Sequence, residues 1–317
     1  MAAEERDGVT ARNTTAAAPR RLTRVSARVR LKDMSLRSLR LARKHPTGAA
    51  GLAVLVAMTL FVLAGDLLTP FQAHRTIALR SQPPLSSGFE GDRLWLGSDE
   101  LGRDILTRIL RGGRTSMFVG FMAPLIGTVT GTLLGIISAY RGGIVDLLMQ
   151  RLIDVLIAMP GLVLAMAVVM ALGFSVPGVI LALSLGVVGN AARVVRSHAL
   201  SQARMEYVYA ARALGASDRR IVLRHLLPNS MAVSLVLFTV GVGAAIVAEA
   251  GLSFIGLGVQ PPTPSWGNML TFAQGSFRFG PHIAIIPGLA IAIAVLSINM
   301  VGDALRDTLD PHLRGRA

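Results

Sequence analysis

From Gly48 to Leu68 the chain is apolar but for a single charge, Asp66, and stretches of this kind return five more times. About twenty residues in a helix, at 1.5 Å per residue, cover the roughly 30 Å hydrocarbon core of a bilayer. The further runs lie near Ser116–Tyr140, Leu152–Leu172, Pro177–Ala192, Ser230–Ala250 and Ile283–Gly302. The pattern therefore predicts an all-α membrane protein with six transmembrane helices and both termini on one side. The first run is read as an uncleaved span, because a long segment precedes it and no convincing small-residue cleavage site follows.

Charge distribution decides between this reading and a nucleic-acid binder. The net charge of +14 would suit the latter, but 52% of the 317 residues are hydrophobic and only 16% charged. Soluble proteins carry about 25% charged residues. The basic residues also sit in blocks between the apolar runs. With the N-terminus inside, 24 of the 32 Lys and Arg fall in cytoplasmic segments, which predicts N-in and C-in. Residues 1–30, rich in Ala, Thr and Arg, read as a mobile tail. The basic, leucine-bearing stretch Leu31–His45 reads as a helix lying on the membrane surface, or as a solvated tail that follows the positive-inside rule.

Two absences exclude chemistry. There is no cysteine, hence no disulfide and no thiolate metal site. The only lysines, Lys32 and Lys44, lack the Gly-Lys-Ser/Thr context of a phosphate-cradling loop. If ATP powers this protein, another chain hydrolyses it. The histidines have no metal-ligand spacing, and no Ser/His/Asp arrangement can be assembled.

In the second run Ala123, Gly127, Gly131, Gly135 and Ala139 recur every four residues and share one helix face. Small residues on a stripe let two backbones approach, which drives packing inside a membrane. This face is expected to lie against another helix.

The segment Arg193–Asn229, between the fourth and fifth runs, reads as helix, turn and helix. Gly215 is a natural C-cap, Ser217 can cap the next helix with Asp218 in its first turn, and Pro228 opens the fifth span. Ala210 and Ala211 suggest a small-side-chain knob that docks in another protein. Alanine is also simply a good helix former, and the residues alone leave both readings open.

Other residues invite roles. Glu249 lies near the outer end of the fifth span, either lining a path or holding a structural bond. Asp154 is expected to pair with Arg151 one turn away. Asn190, Asn299 and Asp303 bridge helices or mark span ends. Trp95 and Trp266 suit an aromatic belt at the membrane surface, or contact with a partner through residues 251–282.

The hairpin sequence resembles the Glu-Ala-Ala…Gly…Ile-x-Leu-Pro loop of ABC-importer permeases. Ala210, Ala211, Gly215, Leu227 and Pro228 match that pattern. Tyr209 stands where the motif has Glu, and His225 where it has Ile. Both departures look like the dipeptide/oligopeptide branch, and Glu206, one turn away, could replace the missing carboxylate. Leu96–Asp104, Ala248–Pro262 with Pro264–Gly267, and Gly302–Pro311 are similar to the same branch, in particular to its second, C-type permease. The resemblance covers about residues 94–313.

It implies a type I ABC-importer permease fold: a tail over 1–46, a first helix and extracytoplasmic loop over 47–112, a five-helix core over 113–303, and a C-terminal tail over 304–317. It implies a bacterial cytoplasmic-membrane subunit, not an enzyme, paired with a related permease. Two cytoplasmic ATPases would use ATP and Mg, while this chain binds no cofactor. An extracytoplasmic protein would deliver dipeptides or oligopeptides. The loop would be the coupling element, through Glu206, Tyr209, Ala210, Ala211, Arg212, Gly215, Ala216, Ser217, Leu227 and Pro228. Glu249, Ser253, Gln260 and Trp266 would face the path or the delivering protein. Related permeases carry nickel, glutathione or other small solutes, which is the alternative. An ion-coupled transporter would need titratable groups in mid-span and an inverted repeat, and neither is evident.

Overall fold

A computed structural model describes residues 45–309, apart from 70, 276, 277 and 279. The surface helix expected over Leu31–His45 lies, but for His45, outside the described residues, as does the end of the chain from 310. The elements are α1 Pro46–Leu63, α2 Gly65–Leu68, β1 Ser86–Ser87, β2 Arg93–Leu94, α3 Ile105–Arg141, α4 Gly143–Ala158 and α5 Gly161–Leu172. They continue with α6 Val176–Ala203, α7 Glu206–Ala213, α8 Asp218–Ile221, a π-helical turn Val222–Leu226, α9 Leu227–Phe254, α10 Trp266–Ala273 and α11 His282–Leu309.

Among the described residues, five helical stretches are long and apolar enough to cross a membrane. A sixth crossing is available if α4 and α5 together make one broken span; they meet at 96°. The single span expected over Leu152–Leu172 is therefore bent. Pro160 explains the break, since it removes an N–H and its ring clashes with the preceding turn. The composition stays apolar across the bend, so hydropathy alone runs straight through it.

Local chemistry sets the other boundaries. Pro46 opens α1, where a missing N–H costs nothing. Asp104 caps α3 through the Thr107 N–H at 2.7 Å. That carboxyl is held above its usual range, burial outweighing the Thr107 bonds. Ser175 caps α6 through Gly178. Ser265 and Asn268 form a reciprocal capping box on α10, each backbone N–H 3.1 Å from the other side chain. Helix α11 runs on to Leu309, so residues 304–309, expected in the tail, are helical.

Helices α3 and α6 form the central pair, flanked by α9 on α3 and by α4 and α5 on α6. The small-residue stripe makes this pair possible. A Cβ added at Gly127 would sit 2.7 Å from the Ser184 carbonyl oxygen, at Gly131 2.7 Å from that of Val188, and at Gly135 2.6 Å from that of Ala192. Real side chains do not approach that closely, so glycine at each turn lets α6 run along α3. Ala123 and Ala139 extend the buried line at either end. The first helix joins by the same means: a Cβ at Gly51 would lie 2.7 Å from the Ser297 carbonyl oxygen of α11.

Residues 71–104 fold into a cap at the start of α3. The strands β1 and β2 are antiparallel, with Ser86 opposite Leu94. Asp99 organises the rest. Its Oδ1 accepts the Leu101 and Arg103 N–H groups at 2.9 Å each, while Oδ2 faces Arg103 at 2.7 Å and Arg108 at 3.3 Å. Gly97, at φ +84, would place a Cβ 3.0 Å from the Pro83 carbonyl carbon, so the turn admits only glycine.

Candidate functional site

The hairpin between α6 and α9 combines a rigid base with an exposed tip. Helix α7 ends in a Schellman turn: Gly215 N–H donates to Arg212 O at 2.9 Å and Ala216 N–H to Ala211 O at 3.0 Å. Gly215 makes this possible at φ +77. Ser217 takes the N-cap position of α8, but its side chain makes no capping bond, which differs from the expectation.

The base is apolar. Val208, Ile221 and Leu226 are each 0% exposed and pack with Ile136 and Ala139 of α3 and Val195 and Ala199 of α6. The π-helical turn brings residues five apart toward one side, which is how Ile221 and Leu226 both reach this core. Ala216 and Leu227 pack against the same cluster.

Polar bonds fix the hairpin's angle. Tyr140 at the end of α3 donates to Asp218 at 2.7 Å, and the Arg212 guanidinium lies 5.3 Å over the Tyr140 ring. On the other side Tyr207 donates to Gln202 at 2.8 Å, and Asn229 Nδ2 donates to the Tyr207 hydroxyl at 3.2 Å and to His225 O at 2.9 Å. The Tyr207 and His225 rings are 5.9 Å apart. His225, a departure from the general motif, thus lies in the π-helical turn that leads into α9.

The tip presents Tyr209, Ala210, Arg212 and Gly215 to solvent, with Ala211 half-buried behind them and Pro228 exposed at the start of α9. Leu214 is 89% exposed, an apolar side chain the sequence reading passed over. Glu206 is exposed in the first turn of α7 and belongs to none of the ion pairs among the described residues.

Two further ion pairs tie α4 to α6 beside this base. Asp146 accepts from Arg196, with Nε at 2.6 Å, and also from Ser138 of α3. Asp154 bonds Arg193, while Arg151 stands 3.9 Å away. The expected Arg151 pairing is therefore secondary. Sequence spacing reveals only partners on the same helix, so both cross-helix pairs went unseen.

The residues expected to face a path or a delivering protein divide. Glu249 is 0% exposed and bonded by Ser116 at 3.0 Å and Ser253 at 2.8 Å. The Ser116 hydroxyl oxygen also accepts the Trp266 backbone N–H at 3.0 Å, and the Trp266 indole donates to Ile109 O at 3.0 Å. Trp266 is itself 0% exposed, so it joins α3, α9 and α10 instead of lying in an aromatic belt. Trp95 is 57% exposed. Gln260 is exposed, its amide donating to Gly256 O at 2.9 Å.

Comparison with known proteins supplies the family. Residues 131–315 match the family described as the inner membrane component of binding-protein-dependent transport systems. The glutathione transport system permease protein GsiD of Pectobacterium atrosepticum is 39% identical over 298 residues, 90% of this chain and 95% of the relative. That of Escherichia coli is 40% identical over 279 residues, 87% of this chain and 89% of the relative. The solved MetNI methionine ABC transporter, in an inward-facing conformation, shares the fold at TM-score 0.51 and 18% identity, covering 64% of this chain and 96% of that one. The chain therefore belongs to the inner-membrane permease family of binding-protein-dependent ABC importers.

Proposed function

We propose that this permease moves small peptides into the cytoplasm by alternating access, with dipeptides, oligopeptides or a glutathione-like tripeptide as substrate. The hairpin carries the reading. Tyr209, Ala210 and Leu214 form an exposed knob on a base whose Val208, Ile221 and Leu226 are fully buried against α3 and α6. A displacement imposed on the knob is transmitted to the spanning helices because interiors packed at this density do not deform continuously.

In this reading the hairpin is cytoplasmic, both termini are cytoplasmic, and the knob seats in an ATPase subunit that binds the ATP and Mg. A second, related permease completes the path, a second ATPase serves it, and an extracytoplasmic protein delivers the peptide. The arginine distribution supports the orientation. The domain division follows the same logic: tail 1–46, first helix and outer loop 47–112, core 113–303 carrying the coupling loop 193–229, and end segment 304–317. The glutathione permeases among its relatives support a peptide-type solute over nickel.

The test is uptake by the four-subunit complex in proteoliposomes with the binding protein outside. Peptide accumulation should require ATP inside and survive ionophores that collapse ion gradients. Accumulation that vanishes with the gradient and ignores ATP would identify a secondary transporter instead.

A further inference from the structure

A groove of about 360 Å³ runs between the start of α5, the middle of α6 and α9. Leucine and valine side chains share its walls with small residues: Gly161 and Gly186 have nothing within 4 Å of the place a Cβ would occupy, and Ala244 and Ala248 lie on the α9 side. Into it opens one polar side chain, Asn190 of α6, which is exposed and has no hydrogen-bond partner among the described residues. Its neighbours Gly189 and Ala191 are buried, so the amide is the part of this turn directed away from the protein.

An amide left unpaired in hydrocarbon is strongly disfavoured relative to water. Asn190 lies within a predicted span, so its amide must meet water or a polar occupant. One turn further along α6, Arg193 pairs with Asp154 of α4, and both side chains are about half exposed. That pair lies outside the residues lining the groove, which leaves Asn190 as the polar group of its lining.

We propose that this groove is the chain's wall of the translocation path, and that Asn190 hydrogen-bonds the backbone of a peptide passing along it. The proposal rests on the permease reading above and deepens it. A primary amide offers donors and an acceptor together, which matches the one donor and one acceptor of each peptide unit. The glycines and alanines of the lining leave room beside the amide. These features select the peptide backbone, not a particular side chain.

The absence of cysteine from the chain makes the test direct. Asn190→Cys and Gly186→Cys are introduced singly into the complete complex in nanodiscs, with Leu60→Cys on the exposed face of α1 as the membrane control. A charged, membrane-impermeant maleimide should label the two groove positions about tenfold or more faster than the control, because only water-filled space admits the reagent. Trapping with ATP and vanadate should slow groove labelling severalfold. Uptake of trialanine and of S-methylglutathione is then compared in proteoliposomes. Asn190→Leu should raise KM about tenfold, the loss of one hydrogen bond of about 1.4 kcal/mol, and Asn190→Gln should recover most of it.

Groove cysteines no more reactive than the control would overturn the proposal, placing lipid or a helix of the second permease over Asn190. An unchanged KM in Asn190→Leu would equally overturn the contact. Failure of the wild-type complex to take up either peptide with ATP, whatever the labelling, would remove the peptide-substrate reading and this proposal with it.

Discussion

The Asp146 carboxylate of α4 receives both arms of the Arg196 guanidinium of α6, with Nε at 2.6 Å and Nη2 at 2.5 Å. Ser138 of α3 donates to the same carboxylate, so one side chain clamps three helices immediately beside the hairpin base.

Asp146→Asn should loosen that clamp. The pair is partly exposed, so the expected loss is about 1–2 kcal/mol rather than the larger figure for a buried pair. Thermal unfolding of the purified permease should show it as a lower midpoint. Adding Arg196→Gln to Asp146→Asn should cost little more, since the partner is already gone. Additive losses would mean that the two residues act independently.

The α3 stripe predicts a contrast between glycines. Gly131→Ala would put a Cβ 2.7 Å from both the Ala191 Cβ and the Val188 carbonyl oxygen, whereas at Gly186 a Cβ meets nothing within 4 Å. Overpacking of this kind typically costs about 1–3 kcal/mol. Gly131→Ala should therefore lower the unfolding midpoint, and Gly186→Ala should leave it unchanged. Equal behaviour of the two would contradict the close α3–α6 approach.

Glu249 separates a structural role from a transport role. Glu249→Leu strands the Ser116 and Ser253 hydroxyls in a buried site, at about 1–3 kcal/mol for each unsatisfied group. Glu249→Gln keeps acceptor capacity and should be much milder. Stability should follow that order, with uptake KM unchanged in the glutamine variant. A shifted KM with normal stability would move Glu249 into the path.

The two tryptophans give a spectroscopic check. Trp95→Phe leaves only the enclosed Trp266, whose emission should be blue-shifted and resist iodide quenching, while Trp266→Phe leaves the exposed Trp95 and should be quenched readily. Ready quenching in the Trp95→Phe protein would contradict the enclosed position of Trp266.

How much was legible in the sequence follows from the range of each signal. Periodicity and caps are local, so the small-residue face, the C-cap at Gly215 and the helical hairpin could be read directly. Span ends were less accessible. Helix α3 begins at Ile105, eleven residues before the apolar run, because Arg108, Arg111 and Arg114 lower its hydropathy without interrupting its helix. Those charges find partners in Asp99 and Asp66, which lie far off in the chain or on another element. The bend at Pro160 carried a signal, a proline followed by glycine inside an apolar run, that hydropathy hid. Trp266 could not be placed, since a tryptophan near a span end suits an interface and a buried joint equally, and only the Ser116 and Ile109 bonds decide. Leu214 went unnoticed because one leucine in a basic loop has no pattern around it.

The most direct test of the coupling account is co-purification of the detergent-solubilised complex, comparing wild type with Leu214→Asp and Ala210→Glu. Both side chains are already exposed in the chain, so neither substitution should disturb the permease fold, which circular dichroism and the unfolding midpoint would verify. Wild type should bring down the ATPase and the second permease, and each variant should keep the permease partner while losing the ATPase. Full ATPase recovery with both variants would place the ATPase contact elsewhere and refute the hairpin as the coupling element.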